Sequence, residues 1–311
     1  MEGESSAHVH VESGVPQGTV LGPLMFLIYI NDLPEQVDPQ SQVRLFADDC
    51  LLYREINSVE DHVVLQNDLL SLEQWASRWG MKFNAKKCNI LRVSRSKPST
   101  FFYQLCGHIL EEVDSCKYLG LTISNDLKWD EHVDNACNKG NRTLGFLRRN
   151  LRYAPKKLKE QAYMALVRST LEYSATIWDP YLKKDINKIH KVEKRAARFI
   201  ANDYSYDSSM TQIFEDLGWS ALKDRRREAR LALFYKVVNG LVAVDKDKYI
   251  QQGDTRTRAK NSMKFKQLKP STQIFQNSFF PRTIPEWNIL PEDTIKCDNV
   301  ESFRAALQKS D

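Results

Sequence analysis

The stretch Gln42–Tyr53, QVRLFADDCLLY, places two adjacent aspartates, Asp48 and Asp49, between two short apolar segments. These segments, Gln42–Phe46 and Cys50–Tyr53, are rich in the branched and aromatic residues that favour β-strands. Two carboxylates are costly in such a position unless they face water or bind cations. We therefore predict a β-hairpin with the aspartates at its tip, an arrangement that suits two-metal phosphoryl transfer.

The residues before the hairpin predict a loop followed by a buried helix. Glycine and proline recur at close spacing through residues 11–22, which indicates a loop. Pro23 suits the first position of a helix. The following residues, LMFLIYINDL, are apolar nearly all round, so we expect a buried helix that ends before Pro34 and Pro39.

The residues after the hairpin predict an amphipathic helix. Ser58 and Asp61 have the spacing of a capping box, and Gly80 is suited to close the helix. Apolar residues recur between them at intervals of three and four, namely Leu65, Leu69, Leu72, Trp75 and Trp79.

The pattern then alternates before it becomes helical. MKFN and CNILRVS predict strands on either side of Ala85–Lys87, FFYQLCGHIL predicts a hairpin near Gly107, and CKYLGLTIS predicts a strand. A helical period runs from Lys128 to about Gly240. In the tail, the three prolines of NSFFPRTIPEWNILP predict an irregular packed segment rather than a long helix.

Composition bounds the class of protein. The chain has 311 residues, of which 42% are hydrophobic and 27% charged, as in soluble globular proteins. The longest apolar run, residues 20–30, is too short to span a bilayer, and the polar start resembles no signal peptide. Six cysteines without regular spacing indicate reduced thiols. We therefore expect an intracellular protein, nuclear or cytoplasmic, with no membrane partner.

Positive charge is concentrated in the middle of the chain. Residues 139–198 contain 16 Lys or Arg against 5 Asp or Glu, although the whole chain carries a net charge of only +5. Within this region, five cations step by four and three residues along one face of a predicted helix: Lys184, Lys188, Lys191, Arg195 and Arg198. The opposite face is apolar, with Ile186, Ile189, Val192, Ala196 and Phe199.

This five-cation stripe has two interpretations. It can be a solvated helix face, which is the usual reason for such charge. Alternatively, because no acid relieves the repulsion along the stripe, it can bind a phosphate backbone without sequence preference. Further basic residues are predicted to widen the same track, namely Arg148, Arg149, Arg152, Lys156, Lys157 and Lys159.

Four sequence blocks, in their order, resemble a known family. SGVPQGTVLGPLMFLIYINDL, FADD, WGMKFNAKKCNIL and CKYLGLTI resemble the second to fifth blocks of the palm of reverse transcriptases from non-LTR, LINE-type (jockey-like) retrotransposons. KVEKRAARFI and FFPRTIPEWNILP resemble the family's region beyond the palm. The resemblance covers nearly the whole chain.

The resemblance implies a reaction and its ligands. The reaction is RNA-directed DNA synthesis, in which a primer 3′-hydroxyl attacks a deoxynucleoside triphosphate with the help of two Mg²⁺ (or Mn²⁺) ions. Asp48 and Asp49 would be metal ligands, because Mg²⁺ prefers carboxylate oxygens. The partners implied are an RNA template, a DNA primer and deoxynucleoside triphosphates.

The resemblance also assigns roles to single residues. The nucleotide and template pocket would contain Gly14, Pro16, Gln17, Gly18, Phe46 and Ala47. Lys87, with Lys86 as the alternative, would supply charge or a proton to the leaving pyrophosphate, although an exposed loop lysine explains Lys87 equally well. Tyr118, Leu119 and Gly120 would grip the primer end, Leu119 being better suited to the core than to contact.

Parts of the family's polymerase have no counterpart in this sequence. The twelve residues before Ser13 contain no aspartate, whereas the family's palm has an earlier strand that carries one. The family's fingers and endonuclease are also not recognisable. We therefore expect a fragment that is inactive alone and leaves an apolar surface and a sheet edge open beside the hairpin.

We predict an α+β fold with three regions: a partial palm over residues 1–128, a basic helical thumb-like region over 129–240, and an irregular or helical tail over 241–311. The main functional hypothesis is a reverse transcriptase fragment. The alternatives are a non-catalytic RNA- or DNA-binding protein that uses the basic helices, and a relic with no selected role. The sequence does not specify the template preference, the integration target or the oligomeric state.

Overall fold

A computed structural model describes residues 14, 18–94, 101–205, 207–253 and 263–310. The chain divides into two compact units, Met1–Gly120 and Leu121–Asp311. Helices dominate and the strands are short, in agreement with the predicted α+β class. The palm, the thumb-like region and the boundaries at 128 and 240 stay predictions. In the described part of the chain, no helix is long and apolar enough to cross a membrane.

The first unit combines two main helices with short strands. Its helices are α1 (Leu21–Ile30) and α2 (Val59–Arg78), with 3₁₀ turns at Leu33–Gln36 and Ala85–Lys87. Its strands are β1 (Gln42–Phe46), β2 (Asp49–Tyr53), β3 (Asn89–Leu91), β4 (Gln104–Leu105), β5 (His108–Ile109), β6 (Glu111–Val113) and β7 (Ser115–Tyr118).

The predicted aspartate hairpin is confirmed. β1 and β2 pair antiparallel, from Gln42 opposite Tyr53 to Phe46 opposite Asp49. Asp49 therefore begins the second strand, and only Ala47 and Asp48 form the turn. Ala47 has a φ of 51°, which residues with a Cβ seldom adopt, and alanine is the smallest of them. A two-residue turn with positive φ matches the twist of the paired strands.

The prediction of a buried first helix is wrong. α1 begins at Leu21, ahead of Pro23, and buries only Gly22 and Ile30. Large apolar side chains on the rest of the helix are exposed, namely Leu21, Leu24, Met25, Leu27 and Ile28. Within the described first unit, only one face of α1 packs against the core around Trp75, and its other faces are exposed to solvent.

The amphipathic helix is confirmed as α2. Ser58 and Asp61 form the predicted capping box, and Gly80 follows the helix with a φ of 66°. Leu72, Trp75 and Ala76 are buried in a core shared with Ile30. Trp79, by contrast, is 42% exposed and stacks edge-on against Tyr29.

The later strand predictions of the first unit are partly wrong. Met81–Asn84 is not a strand, and only Asn89–Leu91 of CNILRVS is one, paired parallel with β6. The hairpin in FFYQLCGHIL is confirmed as β4 and β5, with Cys106 and Gly107 at positive φ. CKYLGLTIS is two strands, because positive φ angles at Leu119 and Gly120 break it after β7.

The second unit begins with a strand, β8 (Leu121–Ser124), and its other elements are helices. Its helices are α3 (Asp130–Asn150), α4 (Lys156–Tyr163), a π-helical turn (Met164–Arg168), α5 (Ser169–Glu172), α6 (Ala175–Trp178), α7 (Lys183–Ala201), α8 (Met210–Leu217), α9 (Leu222–Val238), a 3₁₀ turn (Lys246–Lys248), α10 (Gln273–Gln276), α11 (Phe279–Ile289), α12 (Glu292–Ile295) and α13 (Val300–Ser310).

Two apolar cores hold the second unit together. One is centred on Tyr163 and Trp178 and includes the apolar face of α7. The other joins α9 to the tail through Phe234, Trp287 and Phe303. The tail segment was predicted to be packed, which is confirmed. It was also predicted to be irregular, which is wrong, because residues 279–289 form a helix that contains Pro285.

Candidate functional site

The hairpin tip presents two carboxylates to solvent. Asp48 lies in the turn and Asp49 opens β2, and both residues are exposed. Phe46, on the strand before them, is 64% exposed, and its predicted role in the nucleotide and template pocket stays a prediction. The carboxylate oxygens at the tip are therefore accessible to a ligand, and the fold does not bear the free-energy cost of burying them.

The structure brings the fifth sequence block to the hairpin. Tyr118 closes β7, and the pKa of its phenol is raised, first by burial and second by the negative charge of Asp49. The predicted primer-grip residue Tyr118 thus lies in the electrostatic field of Asp49, one of the two predicted metal ligands. Leu119 and Gly120 follow with φ angles of 47° and 81°, so the chain turns sharply there.

The fourth block also approaches the hairpin. The pKa of the Cys50 thiol is raised by the apolar surroundings of its sulfur and, second, by Cys88. Lys87, next to Cys88, is exposed at the end of its 3₁₀ turn, where its amide donates to the carbonyl of Asn84. No contact joins the Lys87 side chain to either aspartate in the described residues, so its catalytic role stays a prediction.

The second block is only partly described. Gly14 and Gly18 have φ angles of 105° and 78°, which explains glycine at both positions. Pro16 and Gln17, which were predicted to line the nucleotide pocket, lie outside the described residues. Their position relative to the hairpin therefore stays a prediction.

A complete metal centre is not present in the described residues. No group of three or more His, Cys, Asp or Glu side chains lies close enough to hold a metal ion there. Asp48 and Asp49 supply suitable oxygen donors, but a two-metal site requires carboxylates that converge from more than one strand. In the described residues the two aspartates alone therefore do not form such a site, and their role as metal ligands stays a prediction.

The basic stripe on α7 is not free of acids, and this part of the prediction is wrong. Lys184 forms an ion pair with Asp130, and the Nζ of Lys188 lies 2.6 Å from Asp134 Oδ1 and 3.2 Å from Asp185 Oδ1. Two of these acids lie on α3, which packs alongside α7. The repulsion that was predicted to require a phosphate backbone is thus relieved within the protein at the start of the stripe.

The three remaining cations of the stripe differ in how accessible they are to a ligand. Lys191 is exposed and has no ion-pair partner in the described residues. Arg195 donates to the side-chain oxygen of Asn141, and Arg198 lies against Met210. The predicted apolar face is confirmed, since Ile189, Val192, Ala196 and Phe199 are buried. Nucleic-acid binding by the stripe stays a prediction, and Lys191 is the residue of the stripe best placed to contact a phosphate.

The predicted extension of the track is also less uniform than expected. Lys159 is buried, and its ammonium lies 5.1 Å from the centre of the Phe199 ring, so it belongs to the core. Arg148 and Arg152 are exposed and lie over Tyr204 and Tyr153. Arg149, Lys156 and Lys157 are exposed.

One charged cluster was missed in the sequence. Asp179 is buried and accepts from Arg226 Nε at 2.8 Å, with Arg230 and Arg282 bound to the same carboxylate. Arg230 also pairs with Glu286. The usable signal was the four-residue spacing of Arg226 and Arg230, which places them on one face of α9. This cluster joins α6, α9 and α11 and is structural in character.

Comparisons with known proteins agree on one family. Residues 1–123 match the family described as reverse transcriptase (RNA-dependent DNA polymerase). The chain is similar to a probable RNA-directed DNA polymerase from transposon BS of Drosophila melanogaster, with 30% identity over 229 residues, or 69% of this chain and 25% of that protein. It is also similar to the RNA-directed DNA polymerase from mobile element jockey of the same species, with 25% identity over 279 residues, or 85% of this chain and 30% of that protein.

The resemblance that the four sequence blocks predicted is confirmed by these matches. The chain spans only 25–30% of the length of these two relatives. No solved structure matches the chain.

Proposed function

We propose that this chain, which is a relative of the RNA-directed DNA polymerases of LINE-type (non-LTR) retrotransposons, forms part of such a polymerase. In this proposal residues 1–128 are a partial palm and residues 129–240 a thumb-like region. The partners are an RNA template, a DNA primer and deoxynucleoside triphosphates, and the protein acts inside the cell.

One observation carries the proposal: exposed Asp48 and Asp49 stand at the tip of a tight hairpin, and Tyr118 lies in the field of Asp49. In the complete polymerase, Asp48 and Asp49 would hold Mg²⁺ or Mn²⁺, which supplies charge neutralisation for phosphoryl transfer. The tip keeps these carboxylates exposed to water, where a ligand can reach them. Because these two aspartates alone do not form a two-metal site, we propose that the chain alone is inactive.

The other predicted residues take supporting roles in this proposal. Gly14, Pro16, Gln17 and Gly18 would shape the nucleotide and template pocket with Phe46 and Ala47. Lys87 would supply positive charge near the leaving pyrophosphate, and Tyr118, Leu119 and Gly120 would hold the primer end.

A chimera tests the catalytic proposal. The full chain is assayed alone, and the matching segment of the jockey polymerase is replaced by this chain, with an RNA template, a DNA primer, deoxynucleoside triphosphates and Mg²⁺. We expect extension by the chimera, none by the chain alone, and loss in chimeras with Asp48→Asn or Asp49→Asn. A chimera with Glu55→Gln, a nearby exposed acid, is the control and should stay active. Extension that survives both aspartate variants would overturn the proposal.

A second candidate function is nucleic-acid binding without catalysis, which Lys191 on α7 favours, since it is exposed and has no ion-pair partner in the described part of the chain. Such binding would weaken with salt and with charge reversal at Lys188, Lys191 and Arg195, and it would be insensitive to Asp48→Asn. An inactive chimera together with salt-sensitive RNA binding by the full chain would favour this candidate.

A further inference from the structure

The tail motif FFPRTIPEWNILP supports a short antiparallel bridge in the second unit. Three backbone contacts define the bridge: Gln252 pairs with Phe265, the Gly253 amide donates to the Lys264 carbonyl at 3.1 Å, and the Lys266 amide donates to the Gln251 carbonyl at 2.8 Å. Residues 251–253 and 264–266 are together named the tail bridge. A Cβ at Gly253 would lie 3.1 Å from the Lys264 carbonyl oxygen, so glycine permits the close approach of the two segments.

Side chains of α11 fix the position of the tail bridge. The Oδ1 of Asn288 accepts from the Phe265 amide at 3.0 Å, and its Nδ2 donates to the Phe265 carbonyl at 2.7 Å. One side chain thus makes both hydrogen bonds that a neighbouring strand would make. Trp287 Nε1 donates to the Met263 carbonyl at 2.9 Å, and the Phe265 ring packs edge-on against Phe234. The bridge is therefore attached to the core of the second unit.

Two lysines lie on the side of the bridge that faces away from this core. Successive side chains of an extended segment point to opposite sides, so Lys264 and Lys266 lie opposite to Phe265, with their Cα atoms roughly 7 Å apart. Lys266 is exposed and Lys264 is half-buried. The Nζ of Lys266 lies 3.3 Å from the side-chain oxygen of Gln251, which is neutral. Among the described residues neither lysine forms an ion pair, in contrast to Lys188.

The surroundings of the tail bridge add positive charge and little apolar surface. Residues 245–253 and 263–269 contain five lysines and two aspartates. The only large apolar side chain that is exposed in these two segments is Tyr249, whose ring stacks at 4.7 Å on Phe280 of the tail motif. The Nζ of Lys248 lies 5.7 Å from the centre of the Tyr249 ring. Such a surface attracts polyanions, whereas a protein interface usually has an apolar centre.

We propose that the tail bridge binds the sugar–phosphate backbone of a single-stranded nucleic acid. Lys264 and Lys266 contact phosphate groups, because ammonium groups form strong charge-assisted hydrogen bonds with phosphate oxygens. Asn288 is the positioning residue, since it holds the segment that carries both lysines. Binding is independent of base sequence because it rests on charge. The choice of a nucleic acid among polyanions rests on the proposed function, whereas the surface itself rests on the contacts and charges of the tail.

Titration of labelled oligonucleotides with the full chain tests the two lysines. Single-stranded RNA and DNA of the same sequence, each of about 12 nucleotides, are used in EDTA, and fluorescence anisotropy is the measurement. Lys264→Gln and Lys266→Gln should each weaken binding about fivefold at about 0.1 M salt, the loss expected for one phosphate contact. Lys223→Gln removes an exposed lysine at the start of α9 and is the matched control, with a change below about twofold. Weakening with both strands identifies a contact to either backbone, and weakening with RNA alone identifies an RNA contact.

Asn288→Ala tests the positioning role. It should weaken RNA binding, and in this background Lys266→Gln should have an effect below about twofold, because the lysine is no longer held in place. Circular dichroism checks that the variant is folded. An undiminished fivefold effect of Lys266→Gln in the Asn288→Ala chain would show that Asn288 does not position the lysine.

Two results would overturn the proposed binding surface. One is wild-type affinity in both lysine variants, which would leave Lys264 and Lys266 as solvated charges beside the bridge. The other is competition by poly-glutamate that is as strong as competition by unlabelled RNA, which would indicate an acidic protein partner. Because metal and deoxynucleoside triphosphates are absent from these titrations, failure of the chimera assay leaves their outcome unaffected, and the two proposals fail separately.

Discussion

The Nζ of Lys188 on α7 lies 2.6 Å from the Oδ1 of Asp134 on α3. A cation that the sequence assigned to a nucleic-acid track is therefore already paired by a neighbouring helix. Asp185, one turn before it on α7, lies 3.2 Å from the same ammonium. Because Asp134 already neutralises this ammonium, Lys188 should neutralise a phosphate, and so release its counterion, less readily than Lys191, which has no ion-pair partner among the described residues.

Two variants compare the paired and the unpaired lysine. In a plot of the logarithm of the RNA-binding constant against the logarithm of the salt concentration, Lys191→Gln should make the slope about 0.7 less steep. This is the value for one phosphate contact on a single strand. The double variant Lys188→Met/Asp134→Asn removes a cation and an acid together, so its slope should equal that of wild type. Fluorescence anisotropy at salt concentrations from about 50 to about 200 mM measures the slopes of both variants. Equal slopes for Lys191→Gln and wild type would exclude Lys191 from the contact surface.

The proximity of Asp49 and Tyr118 gives a test that does not depend on activity. Asp49→Asn removes a negative charge that raises the Tyr118 pKa, so the phenol should ionise at lower pH in this variant. Asp48→Asn is the matched control, since Asp48 is not among the groups that shift this phenol. NMR of ¹³C-labelled tyrosine, with Tyr118→Phe to assign the signal, measures the titration. Identical midpoints in wild type and Asp49→Asn would place Tyr118 away from the aspartates.

Local sequence patterns correctly predicted those elements whose formation depends on residues close in sequence. The FADD hairpin, the capping box at Ser58 and the turn at Gly107 each follow from short-range backbone chemistry. α2 and the apolar face of α7 follow from helical periodicity. In these elements, the sequence pattern, the local backbone structure and the burial of the side chains all indicate the same secondary structure.

The errors occurred where the outcome depends on distant partners. α1 is apolar on all sides, but burial depends on what packs against it, and in the described first unit most of its surface has no cover. The acids on α3 that pair with α7 are more than fifty residues away, so a single-helix pattern could not reveal them. For the candidate site, the aspartates were predicted by type and order, whereas the approach of Tyr118 and Cys88 required the folded chain.

Asp61 makes the stability of the first unit depend on pH. Its pKa is lowered because its carboxylate accepts first from the Asn57 amide and is also bound by Arg54 and Ser58. A lowered pKa stabilises the fold above the unfolded value of about 3.9, and this contribution is lost as the pH falls through the folded value. Asp61→Asn should therefore lower the urea midpoint at pH 7, and the difference from wild type should shrink toward pH 3.

Glu55→Gln provides the control for Asp61, because it removes an exposed acid nearby without removing a helix cap. Its urea midpoint should follow that of wild type at each pH. A difference between Asp61→Asn and wild type that is the same at pH 7 and pH 3 would contradict the assignment to the ionised carboxylate.

Asp179 should be among the most sensitive positions of the second unit. Its buried carboxylate binds Arg226 Nε at 2.8 Å and Arg282 Nη2 at 3.1 Å, and it also binds Arg230. Arg226 and Arg230 are each only 2% exposed, so Asp179→Asn leaves the buried Arg226 without its counter-charge and Arg230 with Glu286 alone. Breaking a buried pair in this way costs about 3–5 kcal/mol in the free energy of unfolding.

Urea unfolding of the full chain, followed by tryptophan fluorescence, measures this loss. Glu292→Gln in the exposed pair with Lys296 is the control and should cost at most about 1 kcal/mol. Removing the cation as well, in Asp179→Asn/Arg226→Met, should cost less than the sum of the two single variants, because the second change removes the charge that the first leaves unpaired. Strict additivity, or a loss in Asp179→Asn no larger than in Glu292→Gln, would show that the carboxylate does not hold α6, α9 and α11 together by charge.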